Sequence, residues 1–172
     1  MLLAAAALSP ARLPAEVSKE YQVKAAFLYN FTKFVEWPTQ HFAHEERPIL
    51  IGILGRNPFG EELDKILRGR KVAGRELEVK VLASPEEAKT VDVLFVCEGE
   101  EQRLAGLWQP LLKAGVLTVG ESGRFGELGG MVVFLLEGDK VRFSINLGQA
   151  EQAQLKLSAQ LLKLATAVRR NP

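Results

Sequence analysis

Four stretches of this 172-residue chain combine residue types that can do chemistry. Gly55-Arg56-Asn57-Pro58-Phe59-Gly60 has the G-x-x-x-x-G spacing that opens a phosphate-binding loop. The next two residues would have to be Lys and Ser or Thr, and they are Glu61 and Glu62. Two carboxylates repel a triphosphate, and Pro58 has no N–H to donate, so the stretch reads as a tight strand-to-helix turn. His41 and His44 stand one helical turn apart with Glu45 and Glu46 beside them, a spacing able to hold a metal. No helical pattern fixes them between Pro38 and Pro48, so a solvated loop is expected and no metal. Gly120-Glu121-Ser122-Gly123 begins like a nucleophile elbow, but the second glycine of G-x-S-x-G is replaced by Arg124. Cys97 has no histidine near it in sequence and reads as a small buried residue. No acid–base pair or nucleophile with its base emerges, so neither an enzyme nor a cofactor is expected.

Binding residues are easier to nominate. The glycine-rich stretch 120–130 leaves the end of an expected parallel strand, where α/β proteins bind ligands, and the Asn57–Gly60 turn opens on the same edge. Asn57, Phe59, Arg124 and Phe125 are therefore candidate ligand residues, with Arg124 for an anion and Phe125 for stacking. The competing reading of the stretch is a flexible connection. Lys33, Glu36 and Trp37, at the exit of the first helix, are candidate contacts for a partner protein. The competing reading of Trp37, and the favoured one, is a core plug.

The elements that must position these residues follow from periodicity. Ser18 is a good N-cap for a helix over 19–35, whose apolar row is Val23, Phe27, Phe31 and Phe34 and whose wet side carries Lys19, Gln22, Tyr29 and Lys33. Trp37-Pro38 ends it. Strands are expected over 49–54, 77–82, 91–96 and 116–119. Helices are expected from the Asn57 cap to Leu67, from the Ser84-Pro85-Glu87 capping box, and over 100–113 with a kink at Pro110. Runs 131–136 and 141–145 flank a short glycine-containing loop and read as a hairpin. A single long helix is expected over 148–169, with Leu157, Leu161, Leu164 and Val168 as its buried row. Strands alternating with helices give an α/β fold, a three-layer αβα sandwich with a mostly parallel mixed sheet.

Length and composition bound the rest. One domain fits 172 residues, and residues 16–172 are assigned to it. Lys and Arg number 22 against 21 Asp and Glu, so no positive field draws in nucleic acid. The single cysteine excludes an intrachain disulfide. Leu2–Leu8 is an apolar run followed by Ser9-Pro10-Ala11, the h-region and cleavage site of a signal peptide without its basic start. Residues 1–15 are read as the remnant of that peptide, the alternative being a frayed alanine-rich terminus. No later run is long enough to span a membrane, so no membrane insertion is expected. The outer edge of the hairpin would be free to pair with a second copy, so a homodimer is expected.

Taken in series, these segments resemble the YfiR family. The resemblance rests on residues 23–38, ending in Phe34-Val35-Glu36-Trp37-Pro38; on Ile53-Leu54-Gly55 with Asn57-Pro58-Phe59-Gly60; on residues 116–120 leading to Phe125 and Gly129-Gly130-Met131; and on residues 142–147, 155–158 and 161–165. It implies a periplasmic, non-enzymatic regulator that represses an inner-membrane diguanylate cyclase or sensor kinase and so controls cyclic di-GMP and biofilm signalling. It supplies no catalytic residues. Family members with disulfides differ from this chain, which has only Cys97, so disulfide-dependent control does not transfer. The alternative is a periplasmic small-molecule sensor or carrier.

Overall fold

A computed structural model describes residues 17–42 and 46–170. The expected signal-peptide remnant and His44 lie outside these residues. Ser18 caps the first helix, α1 (Lys19–Phe34), its hydroxyl accepting from Tyr21 N. Then follow β1 (Val35–Glu36), a 3-10 turn (Thr39–Phe42), β2 (Ile49–Leu54), α2 (Glu62–Leu67), β3 (Lys71–Val72), β4 (Arg75–Val81) and a 3-10 segment (Pro85–Thr90). The middle of the chain forms β5 (Val93–Val96), a 3-10 turn (Glu101–Leu104), α3 (Trp108–Lys113), β6 (Leu117–Gly120) and α4 (Gly123–Glu127). The last third forms β7 (Val132–Glu137), β8 (Lys140–Asn146), α5 (Leu147–Gln152), β9 (Lys156–Leu157), α6 (Ala159–Leu164) and β10 (Ala167–Arg169).

Eight strands make one mixed sheet in the order β10-β8-β7-β6-β5-β2-β4-β3. From β4 through β7 the strands run parallel, β8 returns antiparallel to β7, and β10 runs parallel to β8. The chain starts the sheet in the middle at β2, adds β4 on one side and then crosses to β5 on the other. That reversal creates a crevice beyond the carboxyl ends of β2 and β5, where doubly wound sheets hold their ligands. Alternation along the strands feeds two cores. Ile51, Ile53, Val93, Phe95, Leu117 and Val119 pack on the α1 and α2 side. Leu54, Leu94, Val96 and Val116 pack on the other, with Leu104, Leu111 and Phe125. The α/β three-layer architecture with a mostly parallel sheet is as the sequence reads.

Several elements differ from the expectation. The long helix over 148–169 is two short ones. Gln154 adopts a left-handed φ of 60° and breaks the helix. Leu157 then pairs with Val35 in a small β1–β9 ribbon, and Ser158 caps α6 by accepting from Leu161 N. Val168 lies in β10, paired with Ile145 of β8. The edge assigned to a second copy is thus covered by the chain's own C-terminal strand, which removes the argument for a homodimer. The helix expected from Asn57 begins only at Glu62; Asn57 Oδ1 instead accepts from Phe59 N and closes a turn. The helix over 100–113 is split by Gly106, with φ 77°, into a 3-10 turn and α3. The β3–β4 hairpin was missed. Its two-residue loop is Ala73-Gly74, both at positive φ, and an alanine there hides the turn signal that Asn-Gly would give.

Candidate functional site at the ends of the parallel sheet

On α1 the sequence row and the buried row differ. Val23 is 43% exposed, while Lys24, Ala25, Leu28, Phe31 and Thr32 are buried. A buried lysine must be paired, and Lys24 is. Its Nζ lies 2.7 Å from Glu121 Oε2, contacts Glu20 Oε1, and sits 4.6 Å from the Tyr21 ring centroid. Glu121, the first residue after β6, also accepts from Tyr21 OH at 3.1 Å and from Glu98 N at 3.1 Å. Three elements therefore converge on one buried carboxylate at the carboxyl end of the sheet. The signal was present in the sequence: Lys24, Leu28 and Phe31 share one helical row at i, i+4 and i+7.

The crevice between β2 and β5 is filled. Gly55 turns at φ 108°, and a Cβ there would meet Cys97 Cβ and Glu100 Cγ at under 3 Å. Phe59 is fully buried beneath, edge-on to Tyr21 and Phe95. Cys97 Sγ points to Arg56 O at 3.4 Å. Burial, with the charges of Glu121 and Glu100, pushes its thiol up to about 12, so at neutral pH it is a protonated thiol and a poor nucleophile. Burial and Glu121 likewise push the Tyr21 phenol above its ordinary range. Beside this cluster a cleft of about 230 Å³ remains, lined by Glu20, Tyr21, Lys24, Glu98, Glu121 and residues 134–136.

Phe125 sits in the opposite core, 1% exposed, its ring held between Gly120 and Gly130. A Cβ on either glycine would fall 2.4 or 2.1 Å from that ring. The glycines of this stretch thus seat an aromatic side chain, and the stretch carries α4, capped by Ser122. Arg124 is exposed. The four candidate ligand residues are therefore not gathered into one crevice: Phe59 and Phe125 are committed to cores on opposite faces of the sheet.

At the other end of the strands lies a second polar cluster that the sequence reading missed, and it includes His41, which is not in a solvated loop as expected but in a 3-10 turn, part-buried against Asp92. Asp92 is fully buried just before β5. Its carboxylate accepts from Arg47 through both guanidinium nitrogens (2.7 and 2.9 Å) and from Leu50 N (2.8 Å), and lies 2.7 Å from His41 Nε2. Burial raises its pKa, but the hydrogen bonds from Arg47, His41 and Leu50 outweigh that and hold it below the usual carboxylate range. Trp37 belongs to this end as well. Its Nε1 donates to Gly115 O at 3.0 Å, and its ring packs on His41 and Phe42. Lys33 and Glu36 are exposed near it. Open hollows of about 460 and 440 Å³ are both lined by Arg47.

The class that this architecture defines is a doubly wound α/β domain whose crevice between β2 and β5 is filled by its own side chains. The comparisons narrow that class. Residues 21–166 match the YfiR/HmsC-like family, and the chain belongs to it. The family consists of periplasmic regulatory domains known for control of cyclic di-GMP signalling and is not a known enzyme family. No curated protein sequence matches the chain. Solved structures share its fold, two of them as follows. One is a conserved domain protein from Vibrio cholerae, 12% identical, with TM-score 0.52. The other is an ABC domain from Streptococcus pneumonia in complex with L-Trp, 13% identical, with TM-score 0.50. In both cases 87% of this chain is covered but only 60% of the other. Among the described residues, no helix is long and apolar enough to cross a membrane.

Proposed function

We propose that the protein is a periplasmic regulatory domain that binds the periplasmic portion of an inner-membrane diguanylate cyclase or sensor kinase and holds it inactive. The family match over residues 21–166 carries this reading. Export would depend on the Leu2–Leu8 segment. Repression of this kind is a population shift: the domain must bind the inactive state of its partner more tightly than the active one. Exposed Lys33 and Glu36 are offered as one contact. Trp37 supports that contact from beneath, since its indole N–H is already bonded to Gly115 O. The alternative, a small-molecule sensor built on Asn57, Phe59, Arg124 and Phe125, would require the two buried rings to leave their cores.

The test is a pull-down from detergent-solubilised envelope with tagged protein exported behind a complete signal peptide. Recovery of a membrane cyclase or sensor kinase, lost on exchange of Lys33 and Glu36 for opposite charges, is the expected result. A folded bait that retains no membrane protein would overturn the reading, and a ligand retained in native mass spectrometry would turn it toward the alternative.

A further inference from the structure

The sheet ends unevenly beside the Lys24–Glu121 cluster. β6 pairs with β7 only at Val119↔Val132 and Gly120↔Val133, whereas β7 and β8 remain paired out to Glu137↔Lys140. Residues 134–137 of β7 thus have β8 on one side and, among the described residues, no strand on the other. A strand edge presents a row of backbone donors and acceptors, a template for another extended chain. Space lies against this edge on both faces. On the α1 side is the cleft of about 230 Å³, which among the described residues carries Glu20, Glu98 and Glu121 against the one ammonium of Lys24. On the α4 side is a groove of about 420 Å³ lined by Gly123, Gly126, Val133, Leu135, Ala167 and Arg169, among others. The two meet at Glu121, Phe134 and Leu135.

We propose that an extended segment of a partner protein docks here as an added strand, in line with β6 and beside residues 134–137. Successive side chains of a strand point to opposite faces, and the two faces differ in chemistry. The acidic cleft takes a lysine or arginine. The α4-side groove is mostly apolar, and its one cation among the described residues, Arg169, already donates to Gly126 O, so it takes an uncharged aliphatic side chain. The occupant is therefore a segment in which basic and aliphatic residues alternate, held by main-chain hydrogen bonds with the side chains setting register. The inference rests on the partner-binding reading and specifies the chemistry of the partner.

The probe is the capped pentapeptide Val-Arg-Val-Arg-Val, titrated into the full chain while amide resonances are followed. Its glutamate counterpart and an N-methylated version serve as controls. Shifts at residues 134–137 and at Glu98 and Glu121 are expected, with no binding by either control. Glu98→Lys should weaken the arginine peptide roughly tenfold. Gly123→Leu should weaken it too while leaving thermal unfolding unchanged, because a Cβ at Gly123 meets nothing within 4 Å. Shifts elsewhere, equal binding of the glutamate peptide, or no binding at millimolar peptide would overturn the proposal. In the envelope pull-down, a bait with both substitutions that still retains the membrane partner overturns the strand site and leaves the regulatory reading standing. Failure of the unsubstituted bait sinks that reading, while the peptide titration still decides the edge.

Discussion

The two ends of the parallel strands each bury a carboxylate, and the two are used differently. Asp92 is held by an arginine, a histidine and a backbone N–H from the segment that leads into β2 and from β2 itself. The neighbouring Arg75 donates to the carbonyls of Arg47 and Phe42, and both guanidinium groups lie over the Phe42 ring. This end is a clamp on the chain between α1 and β2. Glu121 is held by two side chains of one helix turn and one loop N–H. It lies beside open space and an unfinished strand edge, with two more carboxylates in the same cleft. Satisfied hydrogen bonds alone therefore do not separate a stabilising cluster from a binding one. What separates them is whether the surrounding strands are complete and whether open space with further carboxylates adjoins the cluster.

Breaking the two clusters should therefore cost unequal amounts. Asp92→Ala takes the shared carboxylate away from Arg47, His41 and the Leu50 N–H, and breaking a buried pair costs about 3–5 kcal/mol. A fall in midpoint of roughly 10 °C in thermal unfolding is expected for a domain of this size. A loss below about 1 kcal/mol would mean that water replaces the carboxylate and that this end is no anchor. Lys24→Met should cost less, about 2 kcal/mol, because Glu121 keeps the Tyr21 hydroxyl and the Glu98 N–H. The double variant Lys24→Met, Glu121→Leu should recover part of that loss in urea unfolding, since an apolar pair can replace a buried ion pair. If the double variant is worse than either single one, Glu121 is holding the β6–α4 turn rather than balancing Lys24.

These clusters mark the limit of what the sequence makes legible. The parallel strands and their order of appearance are readable because runs such as Ile49–Leu54 are buried on both faces and stand out as continuous apolar stretches. Asp92 lies at the mouth of such a run, between Val91 and Val93, where an apolar reading passes over it. A charge there is itself a sign, since an unpaired carboxylate is not tolerated in a core. Its partners, His41 and Arg47, come from 51 and 45 residues away, and no local pattern reports them. The C-terminal helix failed for another reason. Leucines at 157, 161 and 164 fit a helical row, yet the tertiary pairing of Leu157 with Val35 outweighs that periodicity. The glycines around Phe125 show the same thing in reverse: composition read as flexibility turns out to be space for a ring.

The contrast also predicts how stability depends on pH. The folded pKa of Asp92 is depressed, so its contribution is fully present above the unfolded value, near 3.9, and is lost as pH falls through the folded one. Unfolding below about pH 4 should therefore report the Asp92 end, and Asp92→Asn should flatten that limb. Cys97 is the opposite case. Its folded pKa is raised to about 12, so its contribution is fully present below the unfolded thiol value and is lost as pH rises toward the folded one. Tyr21, also raised, acts in the same direction at higher pH. The alkaline limb should report the Glu121 end, and Cys97→Ser should make it shallower in pH-dependent urea unfolding. An acid limb unchanged in Asp92→Asn would show that other carboxylates dominate it.

The smallest effect concerns the exit of α1, where anchoring and contact residues adjoin. Trp37 donates to Gly115 O from a half-buried ring, whereas Lys33 and Glu36 are exposed. Trp37→Phe keeps an aromatic ring against His41 and Phe42 but leaves the Gly115 carbonyl without its donor, a loss of about 1 kcal/mol. Lys33→Ala gives up only the exposed ammonium lying 5.5 Å from the Tyr29 and Phe34 rings, and should change stability by less than about 0.5 kcal/mol. In partner binding the order should reverse. Charge reversal at Lys33 and Glu36 removes a surface contact directly, while Trp37→Phe acts only through the small shift of the turn it supports. Measuring both properties on the same variants separates the roles. A Trp37→Phe chain of nearly full stability that no longer retains its membrane partner would make the indole a contact residue, and the hydrogen bond to Gly115 would then be a means of presenting it.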